Sequence, residues 1–148
     1  MAAQTMTEPA RPTAPIGRTV LVIDRDVPKG LAANAAVILG LTLGVHRPDL
    51  IGDGFEDGSG VAHLGLFPGG LPVLGAAAEE LGALRAAADE RGLTVVDLPA
   101  PGQQTNDYDE FRSVVKATPA AELAYIGVLV SGPAKAVRAV TGQLGLLR

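Results

Sequence analysis

The run Thr19-Val20-Leu21-Val22-Ile23, closed by Asp24-Arg25-Asp26 and followed by Pro28, decides the fold of this 148-residue chain. Five apolar or β-branched residues with no alternating polar position suit a strand buried on both faces, as happens where helices cover both sides of a sheet. Pro28 suits the first turn of a helix, where a missing N–H loses no partner. From Leu31 to Leu43 apolar residues then fall on almost every side of that helix. The reading therefore predicts its burial, against the sheet on one side and a second protein surface on the other. Asn34 is its one polar residue before Thr42, Gly44 suits a C-cap, and His46-Arg47-Pro48 marks the break.

Outward from this unit, Gly52, Gly54, Gly58, Ser59 and Gly60 separate short apolar pieces between Leu50 and Phe67. They predict a hairpin turning at Asp57-Gly58-Ser59-Gly60. From Val73 to Gly92, Leu74, Ala77, Ala78, Leu81, Leu84 and Ala88 recur at three-to-four spacing, with Glu79, Glu80, Arg85, Asp89 and Glu90 opposite, so the whole stretch reads as an amphipathic helix. Leu93 to Asp97 is a second strand, halted by Pro99-Ala100-Pro101-Gly102. Asn106 or Asp107 can cap a helix running to about Lys116, with Tyr108, Phe111, Val114 and Val115 facing inward. Ala124 to Val130 is another unbroken strand, Ser131-Gly132-Pro133 a tight turn, and Ala134 to Val140 a helix. Alternating strands and helices give an α/β architecture: a mixed sheet of about four strands plus a hairpin, with helices on both faces. Residues 18–148 make one domain; residues 1–17, with Pro9, Pro12 and Pro15, read as a disordered Pro-rich tail.

Composition narrows the function classes. Apolar residues make up 47% and charged residues 19% of the chain, below the ~25% charged usual for soluble domains, so a large core is expected. Gly, Pro, Asn or a charge interrupts every apolar run before the ~18–20 residues of a membrane span, and no secretory signal opens the chain, so a cytoplasmic location is expected. With no cysteine there is no disulfide, thiolate nucleophile or zinc–thiolate site. A net charge of −4 argues against nucleic acid as a partner. The patterns G-x-x-x-x-G-K-S/T, H-E-x-x-H and a helix-opening G-x-G-x-x-G are all missing, and no cofactor or metal is expected.

Three blocks carry a family resemblance. V-L-V-I-D-R-D-V-P-K-G-L-A-A-N-A-A-V-I-L-G at Val20 to Gly40 and L-V-S-G-P-A-K-A-V-R-A-V-T-G-Q-L-G-L-L at Leu129 to Leu147 look like the opening and closing blocks of type II peptidyl-tRNA hydrolases. G-L-T-V-V-D-L-P-A-P-G-Q-Q-T at Gly92 to Thr105 resembles that family's strand and D-A-G-x-T turn. The whole chain, including G-L-A-A-N-A-A and T-N-D-Y-D-E-F, resembles still more closely the bacterial family called domain of unknown function 2000. The resemblance implies a peptidyl-tRNA-hydrolase-like sheet with helices on both faces. It does not bring the catalytic residues: the family's lysine falls on Leu31, its helix histidine on Val37 and its turn aspartate on Ala100. Such side chains neither polarise an ester carbonyl nor move a proton.

Several residues remain candidates for ligand binding. Asp24 and Asp26 stand at the carboxyl end of a central strand, where open α/β sheets collect ligands, and Asp26 serves equally as a helix cap. Lys29 can reach the same crevice or lie on the surface. Asn34 should meet a ligand or a neighbouring loop, because a buried amide without a partner costs ~1–3 kcal/mol. His63 is a general base, a lone metal ligand or a strand histidine satisfied by the backbone. Gln103, Gln104, Thr105, Asn106 and Tyr108 form a polar run able to orient a small ligand, or simply a helix cap and a solvated loop. The leading expectation is a small-molecule-binding protein or an enzyme of unassigned chemistry, working as a homodimer because the first helix is so apolar. A hydrolase of peptidyl-tRNA or a related ester, with Lys29 and Asp97 as displaced catalysts, is the alternative, and a dimeric adaptor using the Pro-rich tail a third.

Overall fold

The computed structural model describes residues 17–103 and 105–148. The first strand, β1 (Gly17–Asp24), leads into α1 (Lys29–His46). A short 3-10 turn, Pro48–Leu50, opens an excursion containing the strands β2 (Phe55–Glu56) and β3 (Ala62–His63). The chain returns as β4 (Val73–Ala76), α2 (Ala78–Glu90) and β5 (Thr94–Pro99). After the 3-10 turn Ala100–Gln103 come α3 (Tyr108–Ala117), the turn Ala120–Glu122, β6 (Tyr125–Pro133) and α4 (Ala134–Thr141).

The main sheet is mixed, in the order β4-β1-β6-β5, and β2 pairs with β3 alone. Strand β4 runs parallel to β1, whereas β6 is antiparallel to both β1 and β5. The carboxyl ends of β1, β4 and β5 therefore lie along one edge of the sheet, together with Tyr125 at the start of β6. Strand alternation divides the core into two. Val20, Val22, Val128 and Val130 pack against Leu81, Leu84 and Ala88 of α2 and Val137 and Val140 of α4. On the opposite face Leu21, Ile23 and Leu129 meet Ala35, Leu39 and Leu43 of α1. Gly127 permits this approach, since a Cβ there would stand 2.7 Å from Ile23 Cδ1 and 3.2 Å from Leu39 Cδ1.

The α/β class, the strand count, the hairpin and the two helical layers agree with the sequence reading; four details do not. Val73–Ala76 is a strand rather than the start of the amphipathic helix, because pairing with Leu21 to Asp24 outweighs a helical spacing that is only local. Ser131 and Gly132 continue β6 opposite Thr19 and Arg18 instead of turning. On α3, Phe111 and Val115 are half-buried while Tyr108 and Val114 are exposed. Helix α1 buries only Ala35, Leu39 and Leu43. Gly40 and Gly44, which interrupt its apolar run in the sequence, stay helical, so its 18 residues are long and apolar enough by composition to cross a membrane. Its inner row is instead committed to the sheet.

Candidate functional site

The residues singled out in the sequence are spread over three places. Asp24 closes β1, and its Oδ1 accepts the backbone N–H of Asp26 at 2.9 Å, shaping the turn into α1. Asp26 itself is exposed and caps nothing, for Pro28 holds the N-cap position without a side-chain bond. Lys29 and Asn34 are both exposed. Asn34 thus faces water, which satisfies its amide, and the demand for a buried partner does not arise.

The polar run after β5 lies along the same sheet edge. Thr105 Oγ1 donates to the Pro101 carbonyl at 3.3 Å, Asn106 is exposed, and Asp107 rather than Asn106 caps α3 by accepting the Asp109 N–H at 2.8 Å. The exposed Tyr108 ring meets Phe111 at a centroid distance of 5.9 Å. Gln104 and the side chain of Gln103 lie outside the described residues. His63 belongs to the hairpin: its ring stacks on Phe55, 5.1 Å between centroids, and Nε2 lies 3.2 Å from Asp57 Oδ2. A carboxylate, not the backbone, is its partner. Among the described residues no three His, Asp or Glu side chains gather as a metal site would require.

A constellation around Asp97, which the sequence reading paired with Lys29 and not with Arg85 or Tyr125, lies between α2 and β5. Arg85 Nε donates to Asp97 Oδ2 at 2.7 Å, both side chains partly buried. That bond, with the nearby Asp97 charge, raises the Arg85 pKa above its ordinary value. Tyr125 is buried at the start of β6, and its phenol is pushed up by burial first and by the Asp97 charge second. Arg85 and Tyr125 line a cleft of about 750 Å³ walled mainly by small residues, among them Gly82, Ala83 and Ala86 of α2 and Ala120 and Ala121, with Glu79 and Glu122 in the same lining. The cleft opens at the edge where β4 ends and β6 begins, on the α2 face. Lys29, on α1, belongs to the opposite layer, so it and Asp97 do not form a pair.

Residues 17–148 match the family model DUF2000, described as a protein of unknown function. The chain belongs to the DUF2000 family. Among solved structures, this DUF2000 domain is similar to a protein of unknown function from Agrobacterium tumefaciens strain C58, with a TM-score of 0.81 at 18% identity. That match covers 88% of this chain and 96% of the other. At such identity it speaks for the fold alone. No curated protein matches the chain.

Proposed function

We propose that this DUF2000 domain is a non-hydrolytic small-molecule-binding protein of the cytoplasm, built on a scaffold related to the type II peptidyl-tRNA hydrolases. The observation that carries the reading is the placement of Arg85, fixed by Asp97, in a small-residue cleft at the carboxyl edge of the sheet. Ligands of open α/β sheets collect at that edge. A few fixed polar groups in a mostly apolar pocket serve to orient them.

Arg85 commits Nε to Asp97, and a guanidinium has five N–H donors, so donors remain for an acceptor on the ligand. The Ala and Gly walls leave room for a compact apolar body beside it. The ligand class is a small molecule pairing such a body with a neutral carbonyl oxygen, since Glu79 and Glu122 in the same lining disfavour an anion. Asp24, Asp26 and the loop after β5 lie along the same edge and would border the mouth. Loss of hydrolysis is supported by hydrocarbon at Leu31, Val37 and Ala100, with Val37 turned to the solvent side of α1.

The test is a thermal-shift screen of small amides and other neutral carbonyl compounds, followed by NMR mapping of each hit. Binding that perturbs the Arg85 Nε–H and is lost in Arg85→Lys, with the fold retained, supports the site. Hits that bind Arg85→Lys as well as the parent overturn it.

A further inference from the structure

Two apolar surfaces meet no partner among the described residues. The first is the outer row of α1, where Val37, Leu41 and Val45 follow one another turn by turn and stand 61, 68 and 79% exposed. No charged residue falls between Leu31 and Val45. Gly40 and Gly44 lie in the same helix with nothing within 4 Å of the side chain each lacks. Glycine weakens a helix interior, so two of them on an open face suit a helix that another backbone must approach closely. The second surface is the arm of residues 51–72, which leaves the body beside the carboxyl end of α1. Leu64 and Leu66 on it are 90 and 67% exposed, and Phe55 and Val61 are exposed as well. The Gly52 N–H bonds the Leu66 carbonyl at 2.9 Å to close the base of the arm. Beyond that base its sheet is two strands of two residues, too little to stand alone in water.

We propose that one occupant covers both surfaces: a second copy of this chain. The copies pack about a two-fold axis with their α1 helices antiparallel, and each arm lies over the amino-terminal half of the other copy's α1.

Three arguments select this arrangement. Area is the first. A helix of 18 residues is about 27 Å long and ~10 Å wide, a footprint of roughly 270 Å². A stable interface takes ~800 Å² from each partner, so helix against helix is insufficient and the arm must contribute. Charge is the second. The arm carries Asp53, Glu56 and Asp57 with His63 facing Asp57, and an antiparallel arrangement brings it to the positive end of the opposing helix dipole, where Arg25 and Lys29 offset Asp24 and Asp26. Parallel helices would instead set two acidic arms side by side. Closure is the third, because a two-fold contact satisfies both surfaces of both copies and leaves none open for further growth. The α2 cleft lies on the other face of the sheet, so its ligand binding and this association can fail independently.

The test is light scattering after size exclusion of the full chain, with circular dichroism to confirm folding. The parent should run at twice the 15.0 kDa chain mass. Leu41→Glu should run as a folded monomer, and so should the arm variant Leu64→Ser with Leu66→Ser, both changes being at exposed positions. Lys29→Glu should weaken association several-fold, and combining it with Glu56→Lys should restore it. A monomeric parent at tens of micromolar overturns the proposal. So does a dimer indifferent to the Leu41 and arm variants, and so does a monomer that sediments with phosphatidylcholine vesicles, which would make a membrane the occupant.

Discussion

Arg85 Nε and Asp97 Oδ2 meet at 2.7 Å across the seam between α2 and the edge strand β5. The pair joins the helix layer to a strand whose other edge has no neighbour in the sheet, and it does so beside the buried Tyr125. Both side chains retain some contact with water, so the electrostatic gain is modest. Its value is positional: it fixes the cation at the wall of the cleft.

Removing that pair should therefore cost little stability but much order. Arg85→Ala is expected to lower the unfolding free energy by about 1 kcal/mol. A double-mutant cycle with Asp97→Ala should return a coupling of about 0.5–1 kcal/mol in urea denaturation. A coupling near zero would mean that the two side chains do not restrain one another.

The hydroxyls of Thr19 and Ser131, buried on facing residues of β1 and β6, bond at 2.7 Å. Ser131→Ala leaves the Thr19 hydroxyl buried and unpaired, at a cost of about 1–3 kcal/mol. The double variant Thr19→Val with Ser131→Ala removes both groups and should recover most of that loss, as denaturant midpoints can show.

How far the sequence could be read depended on where the deciding information lay. β1 and β6 are legible because Val20 to Ile23 and Ile126 to Val130 are apolar without interruption, a property of the strand itself. β4 is not: Val73 to Ala76 has no local sign distinguishing it from the helix it precedes, and pairing with β1 makes it a strand. Asn34 misled because an apolar composition does not say which side of a helix is covered. Arg85 looks like an ordinary helix-surface cation, and Asp97 like a partner for Lys29, until the register of α2 on the sheet brings Arg85 and Asp97 together.

The turn of the arm should respond to acid. Asp57 Oδ1 accepts the Val61 N–H at 3.1 Å and the Ser59 N–H at 2.8 Å, and Oδ2 faces His63. These bonds, that from Val61 first, hold the carboxyl below its ordinary value. A carboxyl depressed in the folded state stabilises the turn above its unfolded pKa, and that contribution is lost as pH falls through the folded value. Amide exchange at Ser59 and Val61 should thus be slowed at neutral pH relative to Asp57→Asn, and the difference should vanish below the carboxylate range. An identical profile in the two proteins would show that the carboxylate does not hold the turn.

Gly127 should be intolerant of even one methyl group. The added carbon would stand 2.7 Å from Ile23 Cδ1 and 3.2 Å from Leu39 Cδ1, with the Val22 carbonyl 3.3 Å away, so two buried side-chain ends must repack to make room. Gly127→Ala is expected to destabilise by about 1–3 kcal/mol. A matching change at Gly40, where nothing lies within 4 Å, should be neutral or stabilising in a monomeric background.

Ester hydrolysis offers the sharpest check on the proposed loss of catalysis. Acid–base catalysis needs a proton-transferring group within reach of the reacting atoms. The three positions matching the hydrolase pattern hold Leu31, Val37 and Ala100, and Val37 faces solvent on α1. The two charged residues nearest those positions in the sequence offer no substitute, because Asp97 engages Arg85 beneath α2 whereas Lys29 stands on the layer across the sheet. Release of peptide from a peptidyl-tRNA analogue should accordingly stay at the uncatalysed rate at high protein concentration. Turnover abolished by Lys29→Ala, with fold and association state unchanged, would reverse this conclusion, since the lysine would then act on the reaction itself.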